Sequence, residues 1–439
     1  MEVSSRVAET TLTAQFQTKV TFKSRKTELL LSQLAERSTM HKPFDMVDLQ
    51  VLEALETYGP RNVTEVSRKL RMPPETLRKR LKRLNSQTFL RFHANIYHAN
   101  LGLGKALVFA EGVPGYESSL LDALKINDFW TFVSRCYGMF EGCVGIFTVP
   151  AGNRSAFEYF ISELERTGLC RRAQIFWSTW FYSVPLKHKW FNPETKTWDF
   201  DWDGWVQEIE TADTDLPLGL VEPKAFSVQA DEIDVLTLKE LEKDATISFK
   251  SLAKRLGLSP QLARYHYYNH LVGRDLLQGF EATVFHFGKD SERSLFTFSF
   301  DEERNLARFA SSLLDKPFVT ALGKTLGKNQ LYGYLYFPRS EFRRFLEILS
   351  GLVRSGFLKD YQYAIQDLSS SIRQTIPYQC FRKGEWIYDH ERYVSILNKF
   401  LGDTPLVNNA AILRPTSELK EDISGSTHDN GTAIFNRTS

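Results

Sequence analysis

The chain repeats itself at long range, and this repeat constrains its fold more than any other feature. The segment Asp45–Leu55 returns as Asp231–Leu241, and the block Ser67–Pro74 returns as Ala253–Pro260. The interval is close to half of the 439 residues, which is too long for a solenoid repeat and suits a unit of several helices and strands. The sequence therefore predicts two tandem copies of one multi-element unit.

The composition is that of a globular protein with several cores. Hydrophobic residues make up 42% of the chain, and the net charge is only +2, so any affinity for nucleic acid must come from a local patch. The four cysteines form no Cys-x-x-Cys pair, which predicts free buried thiols in a reducing cytoplasm. No apolar run approaches the roughly 18 residues of a membrane span, and no secretory signal is recognisable. We therefore expect a cytoplasmic protein without a membrane partner.

Each copy combines a helical part with a sheet part. Residues 43–97 read as three short helices followed by a hairpin of 89–92 with 94–97. Residues 102–183 read as β-α-β-β-α-β, the ferredoxin-like order, and the second half repeats both parts. The predicted fold class is α+β, with two winged helix-turn-helix domains alternating with two ferredoxin-like βαββαβ domains. The predicted boundaries are 1–40 for a polar N-terminal extension, 43–100 for the first winged helix-turn-helix, 101–205 for the first ferredoxin-like domain with an aromatic appendix, 206–229 for a linker, 230–288 for the second winged helix-turn-helix, 289–400 for the second ferredoxin-like domain with its appendix, and 401–439 for a disordered tail.

A basic helix over residues 74–85 is the strongest local signal. Leu77, Leu81 and Leu84 form one buried stripe, and Met72–Pro74 forms the turn before it. A short helix, a tight turn and a basic second helix predict a helix-turn-helix whose second helix enters the DNA major groove. The candidate DNA-binding residues of this copy are Arg68, Lys69, Thr76, Arg78, Lys79, Arg80, Lys82, Arg83 and Arg91. The alternative is a basic face that only contacts water.

The corresponding helix of the second copy, over residues 260–271, replaces cations with aromatic and amide side chains. Its candidates for reading base edges are Gln261, Arg264, Tyr265, His266 and Asn269. The alternative is a degenerate copy whose helix packs against protein.

These motifs resemble the DNA-binding half of the Lrp/AsnC (leucine-responsive, feast/famine) transcription regulators. The resemblance rests on Asp48-x-x-Val51-Leu52, on the Met72–Pro74 turn with its basic helix, and on the Leu-Ser-Pro turn at Leu258–Pro260. It implies a prokaryotic-type regulator of transcription whose βαββαβ domain senses an effector and mediates oligomerisation.

The same resemblance offers effector-site candidates. The family's Gly-x-x-Asp corresponds to Gly138 and Glu141, and weakly to the segment Gly327–Gln330, which ends in an amide. Family members usually carry one unit per chain, so two units imply a covalent pseudo-dimer. The aromatic strands Phe176–Tyr182 and Tyr361–Ile365 are candidates for its facing sheets, or else belong to ordinary intradomain core.

The predicted partner is double-stranded DNA, and a small-molecule effector and further copies of the chain are candidate partners. No metal site, cofactor or catalytic residue is predicted, because no nucleophile elbow, Walker loop, HExxH or metal-spaced Cys/His set occurs. Two alternatives remain: a co-regulator or scaffold that does not bind DNA, and a siroheme-decarboxylase-like enzyme. The enzyme would need His and Arg converging in the sheet domain, where His188 and His286 lie outside the predicted strands and residues 102–183 hold no His.

Overall fold

The computed structural model describes residues 44–87, 90–139, 141–179, 182–288 and 290–402. The predicted N-terminal extension lies outside this part of the chain. So does the predicted tail, except for residues 401 and 402, which end the last helix.

The first half begins with a helix-turn-helix that matches the sequence expectation. Asp45 caps the first helix in a capping box with Asp48, and Leu77 and Leu84 are buried on the third helix, as predicted. The elements are α1 (Met46–Tyr58), α2 (Val63–Lys69), α3 (Pro74–Gln87) and strand β1 (Arg91–Ile96).

The sheet part of the first half follows the predicted βαββαβ order. Its elements are β2 (Leu103–Gly112), α4 (Glu117–Leu124), β3 (Trp130–Gly138), β4 (Gly142–Pro150), α5 (Arg154–Arg166), β5 (Cys170–Ser178) and β6 (Tyr182–Ser183). A small appendix comprises β7 (Phe191–Asn192), β8 (Thr197–Trp198) and α6 (Trp202–Thr211). Helix α6 therefore extends into the stretch predicted as linker.

The second half repeats this order with one local difference. Its helix-turn-helix comprises α7 (Glu232–Lys243), α8 (Phe249–Leu256), α9 (Pro260–Tyr265), a π-helical segment (His266–Val272) and β9 (Leu277–Thr283). Its sheet part comprises β10 (Ser291–Ser299), α10 (Glu303–Leu313), β11 (Val319–Lys324), β12 (Gln330–Pro338), α11 (Arg339–Arg354) and β13 (Asp360–Gln366). The chain then forms β14 (Ile372–Arg373), β15 (Phe381–Arg382), β16 (Glu385–Trp386) and α12 (His390–Gly402).

The sheet parts of both halves form one antiparallel sheet. The strand order is β5-β2-β4-β3-β13-β10-β12-β11-β6, with β14 pairing on β3. The halves join where β13 pairs with β3, and a bridge between Ser178 and Thr325 brings β5 back toward the opposite edge. The sheet therefore curls around an interior lined by both halves. This interior cluster contains Leu107, Phe109, Cys136, Val144, Ile146, Leu295, Tyr332, Tyr334 and Ala364.

The wing of the helix-turn-helix differs from the prediction. A hairpin of 89–92 with 94–97 was expected, but β1 is one continuous strand that pairs with β9 of the other half, for example Phe92 with Ala282. The hairpin prediction is therefore wrong, because alternating apolar residues identify a strand without identifying its partner. The exchange connects the halves in addition to the sheet pairs β3–β13 and β6–β11, and Ala245 N also donates to Phe92 O across the halves at 2.8 Å.

The remaining expectations concern thiols and membranes. Cys136, Cys143 and Cys170 are buried and Cys380 is half-buried, and all four are free thiols, as predicted. Burial raises the pKa of Cys143 to about 12, which makes that thiol unreactive. Among the described helices, none has the length and apolarity to cross a membrane.

Candidate functional site

Helix α3 presents a cationic face to solvent. Its apolar stripe faces the core, so Thr76, Arg78, Lys79 and Lys82 are exposed. Arg78 makes only a surface ion pair with Glu75 at 3.5 Å. Among the described residues, Lys79 and Lys82 have no ion-pair partner within 4.0 Å. These side chains are free to meet a polyanion.

Further predicted cations surround this face. Arg68 is exposed and lies 3.7 Å from Glu65, and the ammonium of Lys69 lies 5.4 Å from the ring centre of Tyr58. The exposed Arg91 donates to Asn85 Oδ1 at 3.2 Å and to the carbonyl of Leu90. The cationic surface therefore extends from α2 across α3 to the start of β1.

Arg80 and Arg83 do not belong to this free surface, although the sequence made them DNA candidates. Arg80 Nη1 lies 2.8 Å from Asp45 Oδ2 and 2.7 Å from Asp48 Oδ1, and Arg83 also pairs with Asp48. The Asp48 side chain is fully buried, so it needs these cations. In this structure the two arginines join α3 to α1, and their role as phosphate contacts stays a prediction.

The ion pairs also affect protonation. Partial burial opposes ionisation of Asp45, but the Arg80 guanidinium and the backbone N–H of Asp48 lower the pKa of Asp45 overall. The pKa of Arg80 is raised, because its two carboxylate partners outweigh its desolvation. Asp45 and Arg80 are therefore both charged at physiological pH.

The corresponding surface of the second half is polar and aromatic. Gln261, Arg264 and Asn269 are exposed, and Arg264 lies 5.5 Å from the ring centre of Tyr268. Tyr265 is 51% exposed. The three polar side chains are therefore not buried against the rest of the described chain, although the ring of Tyr265 lies 5.2 Å from that of His270. The degenerate-copy alternative, in which this helix packs against protein, has no support from the polar side chains.

His266 is the exception among the predicted base readers. It is 5% exposed, and its Nδ1 lies 2.7 Å from Asp234 Oδ1, so it cannot reach a base edge in this conformation. His270, which was not singled out, contacts the same carboxylate at 3.0 Å. The signal for this cluster was present in the sequence as Asp-x-x-Asp and His-x-x-x-His in one copy.

A cavity of about 130 Å³ lies between the paired wing strands and one end of the sheet interior. Charged side chains from five separate elements line it: Lys105 from β2, Glu242 from α7, Glu281 from β9, Arg293 from β10 and Arg373 from β14. His98, from the short turn between β1 and β2, also lines it. His and Arg therefore do converge beside the sheet, contrary to the expectation, because His98 and Arg373 lie just outside the predicted strands.

The cavity carries a net positive charge. Three cations, Lys105, Arg293 and Arg373, face the carboxylates of Glu242 and Glu281. Burial raises the pKa of Glu242 to about 7, whereas the pKa of Glu281 is lowered because neighbouring cations outweigh its burial. Burial and nearby positive charge lower the pKa of Lys105 to about 8. At neutral pH the cations therefore outnumber the ionised carboxylates.

Several polar atoms of the cavity lining are unsatisfied. His98 Nδ1, Ser183 Oγ and Arg293 Nε are buried and have no hydrogen-bond partner among the described residues. Burial and the charge of Lys105 lower the pKa of His98 well below its usual range, so this imidazole is neutral. Unsatisfied buried groups beside excess positive charge are typical of a site for a small anion.

The predicted effector residues lie elsewhere. Gly138 ends β3 at the junction with β13, where its φ of +130° and the nearby ring of Tyr363 leave no room for a side chain. Gly138 and Glu141 line neither the cavity described above nor a second one of about 170 Å³ next to Gln174, Asp360 and Gln362. The place of Gly138 at the junction indicates a role in joining the halves, whereas Glu141 is exposed and its carbonyl accepts from Gly112 N of the same half.

Comparisons with known proteins agree with parts of this description. Residues 231–267 match the winged helix-turn-helix DNA-binding family. A search of curated proteins gives no match.

Similar solved structures have low identity. The siroheme decarboxylase NirDL is 9% identical, with a TM-score of 0.48 over 81% of this chain and 98% of that one. AsnC from E. coli is 16% identical, with a TM-score of 0.25 over 34% of this chain and 98% of that one. LrpC from B. subtilis is 18% identical, with a TM-score of 0.25 over 30% of this chain and 93% of that one. Similarities at this level do not by themselves indicate a function.

Proposed function

We propose that the chain is a cytoplasmic, sequence-specific DNA-binding regulator of transcription, of the Lrp/AsnC type. The exposed cationic face of α3 is the observation that carries this proposal. It occupies the position of a recognition helix. Arg78 makes only an exposed ion pair with Glu75, and among the described residues Lys79 and Lys82 have no ion-pair partner. Such a face neutralises DNA phosphates at the edges of the major groove. The family match at 231–267 supports the same assignment for the second half.

The two halves act as a covalent pseudo-dimer in this proposal. The pairing of β1 with β9 and of β3 with β13 supports it, because each pair joins elements from different halves. A covalent pair is free to diverge, so its two recognition helices need not read the same sequence. An asymmetric DNA site therefore suits the chain better than a palindrome.

The two recognition helices have different roles in this proposal. The α3 cations provide long-range attraction that tolerates any sequence, whereas Gln261, Arg264 and Asn269 provide short-range contacts to base edges. The exposure of these three side chains supports this division. His266 is not among the proposed base contacts, because its side chain is buried.

The DNA assignment is tested by selection of bound fragments from random duplexes, followed by titrations at several salt concentrations. Replacing Arg78, Lys79 and Lys82 together with Ala should weaken binding to every sequence and lower the log–log salt slope by about three units. Replacing Arg264 and Asn269 with Ala should reduce the preference for the selected site more than it reduces non-specific binding.

The matched control carries the same change of charge on helices of the sheet part. Arg304, Arg343 and Arg354 are exposed on α10 and α11, and their replacement with Ala should leave affinity and slope unchanged. If both triple variants lost DNA affinity equally, α3 could not be assigned as the DNA-binding helix. Wild-type protein that binds no duplex at low salt would favour the scaffold alternative.

The central cavity is the proposed effector site. Its excess of cations and its unsatisfied His98, Ser183 and Arg293 atoms support a small anionic ligand, such as a carboxylate of amino-acid size. The ligand would lie between the wing strands and the sheet, so it could couple the sheet part to the helix-turn-helix pair. Thermal unfolding in the presence of small carboxylates and of inorganic phosphate tests this.

At least one of these compounds should raise the melting temperature of the wild type. The same compound should not act on Lys105→Met, which keeps the length of the side chain and removes its charge. Lys359→Met, at an exposed lysine that pairs with Asp301, is the control and should respond like the wild type. A shift that persists in Lys105→Met would place the ligand elsewhere.

An enzyme of the siroheme-decarboxylase type is the second candidate, favoured by the convergence of His98, Arg293 and Arg373 on one cavity. We propose no catalytic activity, because about 130 Å³ is below the roughly 300–1,000 Å³ of sites for larger ligands. Mixing the protein with an iron tetrapyrrole distinguishes the DNA-binding regulator from the enzyme. A shifted absorbance spectrum together with loss of carboxylate from the ligand would establish the enzyme instead.

A further inference from the structure

Four potential metal ligands meet in the second helix-turn-helix. Donor atoms of Asp231, Asp234, His266 and His270 all lie within 4.8 Å of one another. The two imidazoles contact Asp234 Oδ1 at 2.7 and 3.0 Å, and they lie 3.9 and 3.7 Å from Asp231 Oδ2. Among the described residues, no other cluster of His, Cys, Asp or Glu reaches this density of donors.

The capping box at the start of α7 directs both carboxylates toward the histidines. Asp231 Oδ1 accepts from the backbone N–H of Asp234, and Asp234 Oδ2 accepts from that of Asp231. Asp231 therefore uses one oxygen to cap the helix and turns the other toward the imidazoles, whereas both oxygens of Asp234 contact His270. The capping box thus fixes both carboxylates beside the two histidines.

The π-helical segment brings in the second histidine. Asp231, Asp234 and His266 each lie 186 positions after Asp45, Asp48 and Arg80, whereas His270 lies 187 after Arg83. The additional residue falls where His266–Val272 adopts a π-helix and the first half continues as α-helix. π-Helical segments are rare, and they are frequently found at functional sites.

The first half provides a comparison of charge. There two guanidinium groups face the same pair of carboxylates. In the second half two imidazoles replace them, and an imidazole is charged only when protonated. Arg274 is the remaining cation nearby, at 3.7 Å from Asp234 Oδ2, and it is 40% exposed. The second half therefore has one guanidinium group beside these carboxylates, where the first half has two.

We propose that these four residues bind a divalent transition-metal ion of the zinc type. Two imidazole nitrogens and two carboxylate oxygens form a four-ligand set that suits a closed tetrahedral zinc site. Asp234 and His266 are buried, whereas the Asp231 side chain is 43% exposed and leaves a route from solvent. The ion would join α7 to the recognition helix, as Arg80 and Arg83 do in the first half.

The test uses the full chain, freed of metal with a chelator and titrated with Zn²⁺ against a chromophoric competitor. The wild type should bind one ion per chain with a rise in melting temperature, and Co²⁺ should give the visible absorption of a tetrahedral site. His266→Arg with His270→Arg imports the arrangement of the first half. It should fold and bind no ion.

A single substitution provides a second test in case the double substitution prevents folding. Asp231→Asn keeps a good N-cap residue but loses a charged ligand, so Zn²⁺ affinity should fall by about 10-fold or more. Asp45→Asn makes the same change in the first half and should leave the affinity unchanged. Zinc binding that survives the histidine double substitution, equal affinities for both asparagine variants, or a wild type that binds no zinc would each overturn the proposal. None of these readouts depends on DNA binding.

Discussion

Asp48 is a fully buried carboxylate in the first helix-turn-helix, and the arginines that pair with it are not free to bind a ligand. Its partners Arg80 and Arg83 lie on the same helix as the exposed Arg78 and Lys79, within a single basic run of sequence. Two classes of basic residue therefore alternate along one helix. One class stabilises the domain, and the other is available to a ligand.

The first prediction separates these classes by stability. Arg80→Ala leaves buried Asp48 with a weaker counter-charge, so it should reduce the free energy of unfolding by roughly 2–4 kcal/mol. Arg78→Ala removes only a surface pair and should change it by less than about 0.5 kcal/mol. Urea denaturation followed by circular dichroism measures both. Similar losses in the two variants would mean that the Asp48 network does not stabilise the fold.

At the scale of elements, helix α1 is tied to strand β9 of the other half by a buried carboxyl group. Glu56 accepts hydrogen bonds from the backbone N–H groups of Ala282 and Leu186, each at 2.8 Å. Burial raises the pKa of Glu56 to about 8, although the two hydrogen bonds oppose this. The folded protein therefore holds a proton at neutral pH that the unfolded chain has released.

The second prediction follows from this difference. The contribution of Glu56 to stability is fully present below its unfolded pKa of 4.5 and is lost as the pH rises toward about 8. As the pH rises from 5 to 8.5, the loss of this contribution should lower the free energy of unfolding by roughly 2–4 kcal/mol. Glu56→Gln should flatten the measured dependence, whereas Glu75→Gln, at an exposed glutamate, should not. Parallel curves for the wild type and Glu56→Gln would contradict the buried proton.

For the whole molecule, the two halves share both a sheet and a wing. The β3–β13 and β1–β9 pairs bury main chain from both halves. The connection between the halves is also docked in part, because Leu220 is buried and Glu222 pairs with Lys324. Covalent continuity is therefore expected to matter less for association than these pairings.

The third prediction tests this by cutting the chain. A protease site inserted between Asp213 and Thr214 lies in an exposed stretch after α6. After cleavage, the two fragments should elute together in gel filtration without denaturant and should keep the circular dichroism of the uncut chain. Fragments that separate under these conditions would show that the strand pairs between halves are too weak to support a pseudo-dimer.

The sequence alone determined the order of the elements and the position of the recognition helices. Apolar periodicity at Leu77 and Leu84 and the turn before Pro74 predicted helix α3, which the structure has. The same reasoning placed the βαββαβ strands, because alternating side chains report which face of a strand is buried. These are local properties, encoded within a few residues of where they act.

Only the tertiary structure decided which strands pair and which charges are free. Strand β1 pairs with a strand some 190 positions away, and Arg80 is held by aspartates on another helix. The cavity and the Asp231–His270 cluster likewise join residues from separate elements. Burial and ion pairing depend on neighbours that are distant in sequence, so periodicity could identify the cationic helix but not which of its cations remain exposed.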